Sequence, residues 1–279
     1  MAKIINKENY FINRVSSSKY IGDDGAVIDK YVYSMDAFFE NIHFKREWMS
    51  LKQIAQKAML VNISDAIVMN AIPKYALLSV AIPFEFTKKQ LDELADGFKK
   101  VAKEFDIEII GGDTISNNKL DISVTIISKS KKPIYRKGVD IGDLMCYTGE
   151  IGGVKKDLDK LLKGKKVSKN SKFIKPILNP KFFYKASKYI KSAMDISDGL
   201  FFELQRISKV NNIGFEFFKD IPNEIGCSGE EYEVVFSFDE KNKDKIEKIA
   251  KKYGVKLNIF AKAKKGKYEC FCKEHHFSD

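Results

Sequence analysis

Several residue types and motifs are scarce or missing in this 279-residue chain, and each gap removes a class of function. Histidine occurs three times (His43, His275, His276) and tryptophan once. There is no G-x-S-x-G elbow, and no cysteine has a histidine beside it in an electropositive turn, so nucleophilic catalysis is poorly supported. Among the 4 cysteines, Cys146 and Cys227 stand alone and Cys270 and Cys272 form a single C-x-C. No second pair completes a zinc site, although His275 and His276 leave a metal-binding tail open. Reduced thiols are the expectation. No apolar run reaches the ~20 residues of a membrane helix. The opening residues, MAKIINKENYFINR, lack the apolar stretch of a signal peptide, so a cytoplasmic location is expected. G-x-x-x-x-G-K-[ST], G-x-G-x-x-G and the His-Arg-Asp and Asp-Phe-Gly motifs are all absent. A nucleotide, if bound, is held by another framework.

What is present is an ordinary globular balance, 44% hydrophobic and 31% charged, which excludes disorder and collagen-like structure. At roughly 100–200 residues per domain, two domains are expected. Lys and Arg number 49 against 38 Asp and Glu, a net charge of +11. That excess suits a nucleic acid, a polyphosphate ligand, or simply a lysine-rich surface.

Periodicity outlines the elements. A short helix is expected over 6–15 and a strand over 30–36, ending on Asp36. Ser50 caps a helix to about Asn70, with Leu51, Ile54, Ala55, Ala58, Met59, Ile63, Ala66 and Ile67 on one face. The apolar run 75–82 reads as a buried strand. Thr87 and Gln90 form a capping box for a helix to about Phe105. Strands at 107–112 and 120–128 flank a turn, GGDTISNN. The basic stretch 129–140 marks a boundary, giving domains 1–134 and 135–279. The second half reads as a strand at 142–149, helices at 152–162 and 180–192, a short strand at 193–197, a helix at 199–210, strands at 213–218 and 231–238, a helix at 240–253 and a strand at 255–263. The class is α/β or α+β.

Acids gather in turns and strand ends: Asp23 and Asp24, Asp36, Asp65, Asp113, Asp195 and Asp198, then Glu230. Asp with Gly is common in turns. Two cases strain that reading. Asp65 lies on or beside the apolar face of a periodic helix, where an unpaired carboxylate is costly to bury. Asp195 and Asp198 sit three apart in an apolar segment. Buried acids need a cation, and hard cations such as Mg²⁺ take oxygen ligands shared with substrate phosphates. Arg136 can fork onto phosphate oxygens as lysine cannot. His43 can meet an anionic group.

The order of these segments resembles the thiamine-monophosphate kinases, within the superfamily of aminoimidazole-ribonucleotide synthetase. The match runs through GDDGAV (22–27), DAFFENIHF (36–44), NISDAIVMNAIP (62–73), GGDT (111–114), YRKGVDIGD (135–143), TGEIGG (148–153), MDISDGL (194–200) and EEYEVVF (230–236). The resemblance implies ATP-dependent phosphoryl transfer to thiamine monophosphate. It implies that Asp24, Asp36, Asp65, Asp113, Asp195 and Asp198 hold several Mg²⁺ ions, with Ser34 beside them and Asp23 as an extra ligand. Asp36 and Asp198 are the implied catalytic pair. Gly112, Asp113, Arg136 and Ser197 would contact ATP, and His43 and Glu230 the thiamine phosphate. The implied fold has an N-terminal four-stranded sheet that pairs with its copy in a homodimer, and a C-terminal α/β domain.

Two departures stand out. Glu231 occupies a place where the family has Asp. Near the C-terminus the family's substrate-stacking aromatic is missing, with Phe271 or Phe277 as substitutes, and loops between roughly 150 and 195 are expected to be short. A selenophosphate synthetase would want a cysteine early in the chain, and none precedes Cys146. A nucleic-acid binder would want aromatics interleaved with Lys. The nearest candidate, 182–191, reads better as an amphipathic helix. Small substrates, with neither nucleic acid nor membrane, are the expected partners.

Overall fold

The structure, a computed structural model, describes residues 7–272. The first run of elements is α1 (Lys7–Val15), β1 (Ala26–Ile28), β2 (Tyr31–Phe39), α2 (Leu51–Val68), β3 (Ile72–Pro83), α3 (Lys88–Phe105), β4 (Glu108–Asn117) and β5 (Asp121–Lys129). The second is β6 (Leu144–Thr148), α4 (Gly153–Leu162), α5 (Pro180–Ala186), β7 (Ile190–Asp195), α6 (Leu200–Asn211), β8 (Ile213–Phe217), α7 (Asn223–Gly226), β9 (Val234–Phe238), α8 (Lys243–Tyr253) and β10 (Leu257–Lys265). Each run builds one sheet, ordered β1-β2-β5-β3-β4 in the first and β7-β9-β6-β10-β8 in the second. The mixed α/β class agrees with the sequence.

Helix α2 lies between the two halves. Ser50 accepts from the Gln53 amide while the Gln53 side chain accepts from the Ser50 amide, so the expected capping box forms. The helix rests on β2, β3 and β5 and also reaches β7 of the second sheet. It is therefore buried on most sides, which a strongly apolar sequence permits. Strand β2 alternates. Val32, Ser34 and Phe38 point inward and are buried, while Tyr33, Met35 and Phe39 face out.

The first sheet has five strands where four were expected, because Ala26–Ile28 pairs antiparallel with β2. GGDT is not a turn. Gly111 to Thr114 lie within β4 and pair in parallel with Leu77 to Val80. Gly112 has φ +144, and a Cβ there would collide with the Leu78 backbone, so only glycine lets the two strands meet. Strand β3 is also less buried than its apolar run suggested, with Ser79 exposed. The helix expected to run from 180 to 192 stops at Ala186, since Ile190 to Asp195 pair with β9 instead.

The expectation of reduced thiols is corrected at one pair. Cys227 and Cys272 are joined as a disulfide, their Cα atoms 5.7 Å apart. The chain brings them together by folding its last described residues along α6, where the Tyr268 and Cys270 amides donate to Ser208 and Gln205. Cys146 and Cys270 remain free. His275, His276 and Phe277 lie outside the described residues.

Candidate active site

Four parts of the fold deliver acids to one place. The loop before β1 brings Asp23 and Asp24, β2 brings Asp36, α2 brings Asp65, and the end of β7 brings Asp195. Asp24, Asp65 and Asp195 each present a carboxylate oxygen, all within 4.8 Å of one another. Burial, then the charges of Asp36, Asp195 and Asp24, push the Asp65 carboxyl well above the usual aspartate range, against the pull of Arg136. Burial and the charges of Asp24 and Glu203 raise Asp195 likewise, with the Ser64 hydroxyl pulling the other way. Asp23 is raised by burial, opposed by the Arg136 amide that donates to it at 2.6 Å. Like charges this close, with Asp24 and Asp65 half-buried and Asp195 buried, are relieved by bound protons or by a cation. The donors are all oxygen, which fits a hard divalent ion such as Mg²⁺.

Arg136 stands at the edge of this cluster. Its guanidinium donates to Asp24 at 2.6 Å, and its Nε is buried without a hydrogen-bond partner. Burial works against its charge, but Asp24 outweighs that and holds it firmly protonated. The unused donor suits an incoming anion. Ser34 donates to the Asn62 side chain at 2.6 Å, beneath Asp36 on the same inward face.

The other expected residues are placed differently. Asp198 is not in the cluster of three. It pairs with Arg206 at 2.6 Å, and Arg206 also holds Glu203 at 2.6 Å. Ser197 reaches the same Glu203 at 3.4 Å. Asp113 and Gly112 lie on the exposed edge strand β4, where Asp113 accepts from the Thr114 amide. His43 accepts from the Phe39 amide through Nδ1 at 3.0 Å and packs on Phe38 and Phe39.

Glu230 belongs to a strap, residues 228–233, laid along the loop after β7. Its amide donates to Ser197 at 2.6 Å, and the Tyr232 amide to Ile196 at 2.9 Å. Both residues take positive φ, +55 and +50. Glu231 is fully buried and accepts from Ser228 at 2.7 Å and from the Gly152 and Val154 amides at the start of α4. It caps a helix, so the longer side chain serves structure there.

Sequence reasoning missed Lys57, Glu203 and Arg206. Lys57 is fully buried on α2, with its ammonium 2.7 Å from Glu230 and 4.1 Å from the Phe173 ring centre. Its signal was its place among apolar neighbours: Ala55, Ala58 and Leu60 are as buried as it is.

Residues 22–129 match the family model for AIR synthase related protein, N-terminal domain. The thiamine-monophosphate kinase of Nitrosopumilus maritimus is 32% identical over 222 residues, covering 73% of this chain and 72% of that one. That of Buchnera aphidicola subsp. Acyrthosiphon pisum is 31% identical over 269 residues, covering 86% and 82%. Among solved structures, AaThiL complexed with AMPPCP and TMP superposes with a TM-score of 0.84 at 22% identity, over 94% of this chain and 91% of that one. The hydrogenase maturation protein HypE in complex with ATP gives 0.70 at 14% identity, over 94% and 88%. At these identities the two structures speak for the fold.

Proposed function

The chain belongs to the thiamine-monophosphate kinase family, and from that premise we propose that it transfers the terminal phosphoryl group of ATP to thiamine monophosphate, giving thiamine diphosphate and ADP. The observation that carries this reading is the cluster of Asp24, Asp65 and Asp195, with the charge of Asp36 acting on it and Arg136 at its rim. Phosphoryl transfer asks for alignment and charge neutralisation rather than covalent help. The acceptor is already a phosphate oxyanion, so no strong base is needed, which suits a site rich in Asp and poor in His. The reaction is direct, with no phospho-enzyme.

Asp24, Asp36, Asp65 and Asp195 would hold Mg²⁺, with Asp23 and Ser34 adjoining. The metal, when bound, neutralises the charge of the transferring phosphate. Arg136 offers its free Nε–H to the ATP phosphates. Glu230, fixed by Lys57, and His43 orient the acceptor. Ser197 and Asp198 lie on the loop leaving β7, and Arg206 and Glu203 fix that loop from α6. Gly112 and Asp113, on the edge strand, are assigned to the nucleotide side.

A homodimer is part of the reading. The outer face of the first sheet exposes Met35 (66%), Ile115 (59%) and Ile110 (49%), with Tyr33 and Phe39 between partial and full exposure. Side chains of this kind on one sheet face suit a second copy. Among the described residues no helix is long and apolar enough to cross a membrane.

The test is a coupled assay with the purified chain, Mg²⁺, ATP and thiamine monophosphate. Thiamine diphosphate and ADP are expected in equal amounts. ADP release only with some other acceptor would overturn the proposal.

A further inference from the structure

Cys227 directly follows α7 and stands three residues before Glu230. Its backbone also packs on the loop at 195–199. A Cβ added at Gly199 would come within 2.9 Å of the Cys227 carbonyl carbon. Cys272 arrives from the other end of the chain, on the segment that leaves β10 and runs along α6. The bond between the two therefore ties the C-terminal segment to the lip of the proposed acceptor site. It also borders a cavity of about 460 Å³ whose walls include Phe201, Phe217, Tyr268, Phe271 and Cys272. Phe201 is three residues beyond Asp198. Phe271 is 95% exposed, so its own packing does little to keep it at the cavity rim. The adjacent covalent bond does that.

We propose that Cys227 and Cys272 are a reversible thiol–disulfide site that reacts with low-molecular-weight disulfides and clamps the C-terminal segment over this aromatic cavity. Both cysteines are partly exposed, within reach of a small reagent. In the oxidising direction, one cysteine thiolate attacks the small disulfide, forms a mixed disulfide and releases one small thiol. The second cysteine thiolate then displaces the other small thiol. Two protons leave the cysteines and two electrons pass to the reagent, giving one protein disulfide and two small thiols. Excess small thiol reverses both steps. Cys270 is a bystander. Its sulfur accepts the Cys272 amide at 3.3 Å, and burial pushes its thiol pKa up, away from the reactive thiolate.

The chemistry stands on the geometry alone, whereas its effect on the acceptor's KM rests on the kinase reading. The full chain is equilibrated in buffers of oxidised or reduced glutathione, alkylated, and mapped by peptide mass. A linked 227–272 peptide is expected in the oxidised buffer and its loss in the reduced one. Limited trypsin digestion is expected to cut the segment after 265 several-fold faster in the reduced chain. KM for thiamine monophosphate is expected to rise several-fold on reduction at unchanged kcat, with Cys227→Ser and Cys272→Ser showing the reduced value in both buffers. No linked peptide, or one joined through Cys270, overturns the site. Equal digestion rates in the two buffers overturn the clamp. Linked peptide and protected segment in a chain without kinase activity support the clamp and sink the kinase reading alone.

Discussion

The ammonium of Lys57 lies 2.7 Å from the Glu230 carboxylate with none of its own side chain exposed, while Glu230 keeps 26% of its side chain accessible. The pair is thus an anchor at one end and an open group at the other. Phe173 and Phe38 flank the ammonium at 4.1 and 5.5 Å, and an aromatic face offsets part of the cost of drying a cation.

Breaking that pair from one side should cost more than removing it. Glu230→Ala leaves a buried unpaired cation and is expected to lower unfolding stability by about 3–5 kcal/mol. The double change Lys57→Met with Glu230→Gln should recover most of that loss. Urea unfolding of the singles and the double measures it. Additive losses would show that the two side chains do not depend on each other.

Asp65→Asn should separate stability from turnover. It removes one of several like charges crowded together, so the metal-free chain should melt at a higher temperature than the parent. Turnover should fall by about a hundredfold or more, the scale for losing a group that stabilises transferring charge. A variant that melts earlier and turns over normally would mean that Asp65 is a structural residue.

The same cluster sets a pH dependence. Asp65 and Asp195 sit well above the 3.8 of a free aspartate in the metal-free chain. A raised carboxyl pKa means that the folded chain binds those protons more tightly than the unfolded one. Their contribution to stability is full below 3.8 and is lost as pH rises through the folded values. The metal-free melting temperature should therefore fall over that rise. Mg²⁺ competes with the protons, so its stabilising effect should grow with pH. Melting curves with EDTA and with Mg²⁺ across a pH series decide this, and a Mg²⁺ effect that shrinks with pH would contradict it.

Arg136→Lys keeps the charge and discards the fork. Lysine can still neutralise Asp24 but cannot also present the free Nε–H. KM for ATP is expected to rise more than KM for thiamine monophosphate. Equal rises would place Arg136 outside the nucleotide side.

Met35→Glu puts a charge on the outer sheet face without touching the inward one. Sedimentation should shift from dimer to monomer at micromolar concentration. An unchanged dimer would mean that the copies meet elsewhere.

The acid cluster of the candidate site was legible because its members break local rules. Asp65 interrupts an apolar helix, Asp24 and Asp195 stand at ends of apolar runs, and Asp36, expected to end its strand, lies inside β2, which continues to Phe39. Lys57 was harder, since a lysine in a helix usually marks the wet side, and it is Phe38, Phe173 and Glu230, brought from distant parts of the chain, that enclose this one. Arg206 and Glu203 look like ordinary helix-surface charges until Asp198 is placed beside them. GGDT carried a turn composition, and its strand conformation comes from the parallel partner β3, a long-range term that local residues do not announce. The Cys227–Cys272 bond joins residues separated by 45 positions, and spacing alone could not have paired them.

Strand β2 is a ruler with two scales. One side carries Ser34 and Asp36, and the other carries Tyr33, Met35 and Phe39. A slip of a single residue against β5 would swap the scales. Asp36 would then turn to the outer face and Met35 to the acid cluster, so on the proposed reading a misaligned chain would lose turnover and assembly together. Register and the proposed activity therefore rest on the same alternation of β2.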